Sequence, residues 1–301
     1  DTGARTVLFD PNAALRARVH PRVERLSWLL ADGREAAAML LLPPERGPGR
    51  LPLFVSYYRC EGYLRGGEGD EWPFAPLVEA GFAVACINTV RGDDGFDAST
   101  HYRIALAAIR GLVDRLDRRG LIDRGRVGMG GFSFGSEVTM WVAMNSDLLG
   151  AASIASTQIE PGYYWYNAVA GRDHPDLLRK VWGLGPPDET PEAWRDISPA
   201  LNVDRIGTPL LMQLPEQEAG LVTELHARLR RSDTPAELYA FPEEAHIKVQ
   251  PRHKLAAYRR NLDWFRFWLQ GHVSKDEGRA DQYRRWKRLR ERWKAGSSAG
   301  H

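Results

Sequence analysis

The residues with the clearest capacity for chemistry lie in Gly131-Phe132-Ser133-Phe134-Gly135, inside the stretch GMGGFSFGSE at 128–137. A serine hydroxyl is a weak nucleophile. On a sharp turn between a strand and a helix it stands clear of the backbone, next to a helix N-terminus that stabilises developing negative charge. The flanking glycines remove the Cβ atoms that such a turn would bring into collision. Such a serine needs a histidine as base and a carboxylate to hold the histidine, and in this architecture the order along the chain is serine, acid, histidine. Six of the eight histidines follow Ser133, and only His246, in FPEEAHIKVQP, falls in a loop just after a strand and before a closing helix. His253 lies in the first turn of that helix and reads as a surface residue, and His174, His226, His272 and His301 lack the position. An aspartate is expected after TPLLMQL, but the loop reads PEQEAG, which leaves Glu216 and Glu218. A glutamate is longer by about 1.5 Å, so the backbone must retreat to suit it.

The elements that would position these groups are visible as apolar runs. Strand-like segments recur at 25–30, 36–42, 52–58, 82–89, 126–131, 150–156, 208–214 and 236–242. Helical patterns lie between most of them from the third onward: Ile104, Leu106, Ile109, Leu112, Val113 and Leu116 share one face, as do Leu255, Tyr258, Leu262, Phe265 and Leu269. Alternating strands and helices imply a mostly parallel eight-stranded sheet covered on both faces. The first two strands, joined by the turn ADG, read as an antiparallel hairpin at its edge. Between 157 and 207 the rhythm breaks into an aromatic, proline-rich excursion of the kind that forms a lid or touches substrate.

With 301 residues, 43% of them apolar, the chain can build one large core. Lys and Arg (41) nearly balance Asp and Glu (39), which argues against nucleic acid or stable membrane insertion. No apolar run reaches the roughly 18 residues of a membrane span, and the start DTGARTVLFDPN has no signal core. Cys60 and Cys86 fit no metal spacing and make a poor disulfide framework, so a reducing, cytoplasmic setting is expected. No cofactor or metal is called for. The tail 276–301 reads as a basic helix with Tyr283, Trp286, Leu289 and Trp293 on one face, which either packs on its own protein, the reading favoured here, or meets an anionic membrane or nucleic acid, followed by a disordered AGSSAGH.

Three separated stretches, GLIDRGRVGMGGFSFGSE, DISPALNVDRIGTPLLMQ and AHIKVQPRHKLAAYRRNLDWFRFWLQG, resemble the catalytic domain of prolyl oligopeptidase-type serine peptidases over residues 20–272. The resemblance implies an α/β-hydrolase fold and places the acid on Glu218. It also implies an oxyanion hole made by Tyr58, with Tyr57 as the alternative, and by the backbone N–H of Phe134. Two departures stand out: AGLV follows Glu218 where relatives carry an Arg-Val pair, and Arg59 and Cys60 replace a glycine pair. The glutamate acid, SFGSEVTMW and YYRCEGY together resemble the lasso-peptide isopeptidase branch. That branch implies cleavage of the bond closing a lasso peptide's ring, with a sphingopyxin-type peptide as a candidate substrate and an N-terminal β-propeller as partner domain. On this reading 1–22 is a linker from the propeller, 23–275 the catalytic domain and 276–301 the basic helix and tail. Tyr163, Tyr164 and Trp165 either line the substrate site or pack the excursion on its own domain. Glu137 either touches substrate or favours the helix dipole. The competing readings are an ordinary oligopeptidase, acylaminoacyl peptidase or esterase, and an inactive protein that binds a lasso peptide without cutting it.

Overall fold

All eight strand-like runs become strands, and all join one sheet. The computed structural model describes residues 3, 6–10, 13–16, 20–60, 72–90, 98–156, 159–167 and 174–299. Its strands are β1 (Arg22–Leu29), β2 (Glu35–Leu42), β3 (Leu51–Tyr58), β4 (Ala83–Asn88), β5 (Ile122–Gly131), β6 (Ala151–Ile154), β7 (Leu210–Pro215) and β8 (Ala236–Phe241). They lie in the order β1-β2-β4-β3-β5-β6-β7-β8. β1 and β2 form the expected edge hairpin, β2 pairs antiparallel with β4, and the remaining pairings are parallel. The helices are α1 (Ala13–Arg16), α2 (Phe74–Glu79), α3 (Ala98–Arg118), α4 (Phe134–Asn145), α5 (Pro161–Asn167), α6 (His174–Trp182), α7 (Pro191–Ile197), α8 (Glu216–Ala219), α9 (Thr223–Leu229), α10 (Pro251–Gln270) and α11 (Ala280–Ala299).

The strand period of two divides the core into two layers. Leu53, Val55 and Tyr57 of β3 face Ile109 and Leu112 of α3 and Val138 and Val142 of α4. Phe54, between them in sequence, faces the other way, toward Trp264 and Phe265 of α10. Burying a side chain of this size contributes about 1.5–3 kcal/mol, so truncating one to alanine at the sheet centre is costly. Parallel strands all end on the same side, and the loops that follow β3, β5, β6, β7 and β8 meet there.

Three sequence expectations need correction or extension. Cys60 and Cys86 form a disulfide, with Cα atoms 5.6 Å apart. Their separation of 26 residues conceals a neighbour relation: β3 pairs in parallel with β4, Tyr58 opposes Asn88, and the Cys60 N–H donates to Asn88 Oδ1 at 3.0 Å. The bond removes the sequence argument for a reducing compartment. No helix among the described residues is long and apolar enough to cross a membrane. The tail helix packs as expected, with Tyr283 and Trp286 buried and Trp293 edge-on to Trp268. It also runs on through Ala299, into the stretch for which disorder was expected.

Candidate active site

β5 ends at Gly131, α4 begins at Phe134, and Ser133 makes the turn between them with φ 54° and ψ −126°. A non-glycine residue held there stores on the order of 1–3 kcal/mol of backbone strain. The surroundings enforce it. A Cβ on Gly131 would lie 1.9 Å from the Gly135 carbonyl oxygen, and one on Gly135 would lie 2.6 Å from the Tyr57 carbonyl oxygen. Strand and helix therefore approach more closely than any side chain allows. The turn is tied by the Gly135 N–H to Phe132 O (2.9 Å), the Ser136 N–H to Ser133 O (2.8 Å) and the Ser136 O–H to Gly131 O (2.6 Å).

His246 lies in the loop after β8, with its ring 4.9 Å from the Phe132 ring, beside Ser133. Its Nδ1 is 2.5 Å from Glu218 Oε1. Glu216, two positions earlier on α8, instead accepts the Glu243 N–H at 2.9 Å. Residues two apart on a helix point to different sides, so only one of the two reaches the imidazole. The Ser133 hydroxyl is not hydrogen-bonded to His246 in this geometry. Such contacts often tighten only when substrate binds.

Sequence reasoning missed Ser156. This buried residue just beyond β6 donates its hydroxyl to Glu218 Oε2 and stands 3.1 Å from His246 Nδ1, while its N–H donates to Ser136 Oγ at 3.2 Å. The available signal was topological: β6 lies between β5, which carries the serine, and β7, which leads to the acid, so a polar residue at its end faces both. The histidine loop is braced from below. Glu244 accepts the N–H groups of Val249 (2.8 Å) and Gln250 (3.0 Å), and the fully buried Lys248 donates to Gln213 O at 2.9 Å. His253, read from sequence as a surface residue, is turned inward to Glu244 at 2.8 Å, because the carboxylate that closes the loop sits at the start of α10.

The two tyrosines at the end of β3 separate cleanly. Tyr57 is buried in the core, its phenol oxygen accepts the Val90 N–H at 2.9 Å, and burial pushes its pKa up to about 12. Tyr58 is half-buried, at φ 147°, with its ring 5.8 Å from that of Phe134 and the Arg59 guanidinium 5.0 Å from its centroid. Of the aromatic run, Tyr163 and Tyr164 are buried and Trp165 is 54% exposed. Tyr164 packs on Trp165 and Trp194 within the excursion, whereas Tyr163 lines a small cavity shared with Glu137. Burial pushes the Glu137 carboxyl up to about 7, against the opposing pull of the Tyr102 O–H and the charge of His246.

The arrangement thus offers a half-buried serine on a strained turn, an imidazole paired with a carboxylate, and backbone N–H groups at a helix start. Residues 69–272 match the prolyl oligopeptidase family of peptidases. The chain belongs to the prolyl oligopeptidase family. Among its relatives is the lasso peptide isopeptidase AtxE2 of Asticcacaulis excentricus, 35% identical over 96% of this chain and 44% of that protein. The structure of AtxE2 isopeptidase without ligand superposes with a TM-score of 0.83 at 34% identity, covering 95% of this chain and 46% of that one. A variant of it with Astexin3-dC4 bound superposes equally well. Acylaminoacyl peptidase from Pyrococcus horikoshii, at 18% identity and a TM-score of 0.70 over 92% of this chain and 47% of that one, shares the fold. The chain spans less than half the length of the curated relatives it matches.

Proposed function

We propose that this prolyl oligopeptidase-family chain is the catalytic portion of a serine isopeptidase that opens the ring of a lasso peptide to give a linear product. The observation that carries this reading is the 35% identity with a lasso peptide isopeptidase across 96% of the chain. The Glu218–His246 pair beside the Ser133 turn supports the chemistry.

In this mechanism His246 takes the proton of Ser133 as its oxygen attacks the side-chain carbonyl of the isopeptide bond. Glu218 holds the imidazole by Nδ1 and stabilises the imidazolium. The Phe134 N–H and the Tyr58 O–H face the oxyanion, each donor worth about 2.7–4 kcal/mol in the transition state. Tyr57 is the poorer candidate, since its oxygen is occupied in the core by Val90. Collapse expels the peptide's N-terminal amine, which leaves with the proton from His246. Water, deprotonated by His246, then hydrolyses the ester and restores Ser133. The reading includes an N-terminal β-propeller as partner domain, on the family resemblance alone.

Mass spectrometry of a threaded lasso peptide, its unthreaded branched-cyclic isomer and a linear control tests this reading. The expected result is gain of one water by the threaded peptide, lost in Ser133→Ala. Cleavage of the linear control would return the protein to the ordinary oligopeptidases. Binding of the threaded peptide with no cleavage would make it a retention protein.

A further inference from the structure

Glu137 sits in the first turn of α4, one helical turn after Ser133, and its N–H bonds to the Ser133 carbonyl at 3.3 Å. A glutamate there gains from the helix dipole while fully solvated, so the dipole does not account for its being only 4% exposed. Its Oε2 accepts the Tyr102 O–H at 2.7 Å, the one hydrogen bond made by this carboxyl among the described residues. The carboxyl forms part of the wall of a cavity of about 60 Å³ whose other walls are mostly apolar, with Ile159, Leu177, Leu178, Leu184 and Trp182 beside Tyr102, Tyr163 and His174. The Phe134 ring lies 5.8 Å from Tyr102 and 5.9 Å from Trp182, so the cavity adjoins the residue that follows the nucleophile. The carboxyl is the acidic group in a wall made mostly of apolar side chains, and such a group favours a hydrogen-bonding neighbour over an apolar one.

We infer that Glu137 is a specificity-determining residue: its carboxyl lines an acyl-side pocket and accepts a hydrogen bond from an amide of the substrate. The inference rests on the isopeptidase reading. There, the residue whose side chain supplies the acyl group carries backbone amides two carbons from the scissile carbonyl, unlike an ordinary peptide, whose apolar side chain occupies that place.

The test compares two p-nitrophenyl esters with the same four-carbon acyl chain: the β-ester of N-acetyl-aspartic acid methylamide, which carries the amides, and the butyrate, which lacks them. The wild-type protein is expected to favour the aspartyl ester by about 100-fold in kcat/KM, in line with sites that lose a buried hydrogen bond to the wrong substrate. Glu137→Leu should shrink the preference to less than about 5-fold through loss on the aspartyl ester alone, and Glu137→Gln should keep it within about 3-fold. Parallel loss on both esters in Glu137→Leu, or an unchanged preference, would overturn the inference. So would a wild-type protein that shows no preference, whether or not the leucine variant folds. A wild-type protein with the ester preference that leaves the threaded peptide uncut would overturn the isopeptidase reading and leave the pocket assignment standing.

Discussion

Two glutamate–histidine pairs flank the loop after β8, and they are chemically alike. Glu218 meets His246 at 2.5 Å and Glu244 meets His253 at 2.8 Å. Their surroundings differ. The His246 side chain is 35% exposed beside Ser133, while Glu244 is fully enclosed and His253 is 12% exposed against Phe241. Burial alone would raise the Glu244 carboxyl. The Val249 N–H, His253 and the Gln250 N–H together outweigh it and hold the group below the usual carboxylate range. Glu244 thus closes a loop, and Glu218 has capacity left to orient an imidazole. A carboxylate–imidazole contact is a catalytic candidate only when the imidazole has an open face toward a nucleophile.

Substituting the two acids in turn should separate the roles most sharply. Glu218→Gln is expected to lower kcat by about 10²–10⁴-fold, with thermal stability nearly unchanged. Glu244→Gln should leave kcat within about 3-fold and lower Tm by about 2–6 °C, as expected for buried N–H groups that lose a charged acceptor. Equal kcat losses from the two would erase the distinction.

Ser156→Ala sharpens the catalytic side of the comparison. Removing the hydroxyl that fixes Glu218 should cost about 10-fold in kcat with KM unchanged, and Ser156→Thr should restore most of it. A change in KM with kcat intact would show that Ser156 contacts substrate instead.

Glu160 sharpens the structural side. It is buried like Glu244 but has fewer donors: burial pushes it up to about 8, opposed by the Ser198 O–H and the Ala200 N–H. An acid raised in the folded state makes folding take up protons. Its contribution to stability is therefore whole below about pH 4.5 and is lost as pH rises to about 8. Glu160→Gln should flatten that decline by on the order of 2 kcal/mol at pH 8, measured by urea unfolding across the window. An unchanged slope would show that the group ionises without penalty.

Much of this was legible in the sequence because it depends on local rules. Apolar runs such as PLFVSYY mark strands wherever they lie, and Gly131 and Gly135 mark a turn too tight for side chains. The loop that holds His246 could be picked by position, since a loop between the last strand and a closing helix is a property of chain order. What escaped depends on contacts across the sheet. Ser156 acquires meaning only once β6 lies between β5 and β7, and Cys60 meets Cys86 only through parallel pairing of β3 and β4. His253 looked exposed because the carboxylate that buries it arrives from nine positions upstream, through a loop whose path no periodicity reveals. The choice of Glu218 over Glu216 rested on resemblance. The helical turn of α8 directs the two side chains to different partners, with the imidazole as the partner of Glu218.

The most direct measurement is the intact mass of the protein after a short exposure to a fluorophosphonate, with the modified residue located by peptide mapping, in wild type, Ser133→Ala and Glu218→Gln. A nucleophile activated through His246 and Glu218 should give one adduct, on Ser133, that is absent from Ser133→Ala and forms much more slowly in Glu218→Gln. An adduct on another residue, or labelling of Ser133 at the same rate without Glu218, would contradict the assignment.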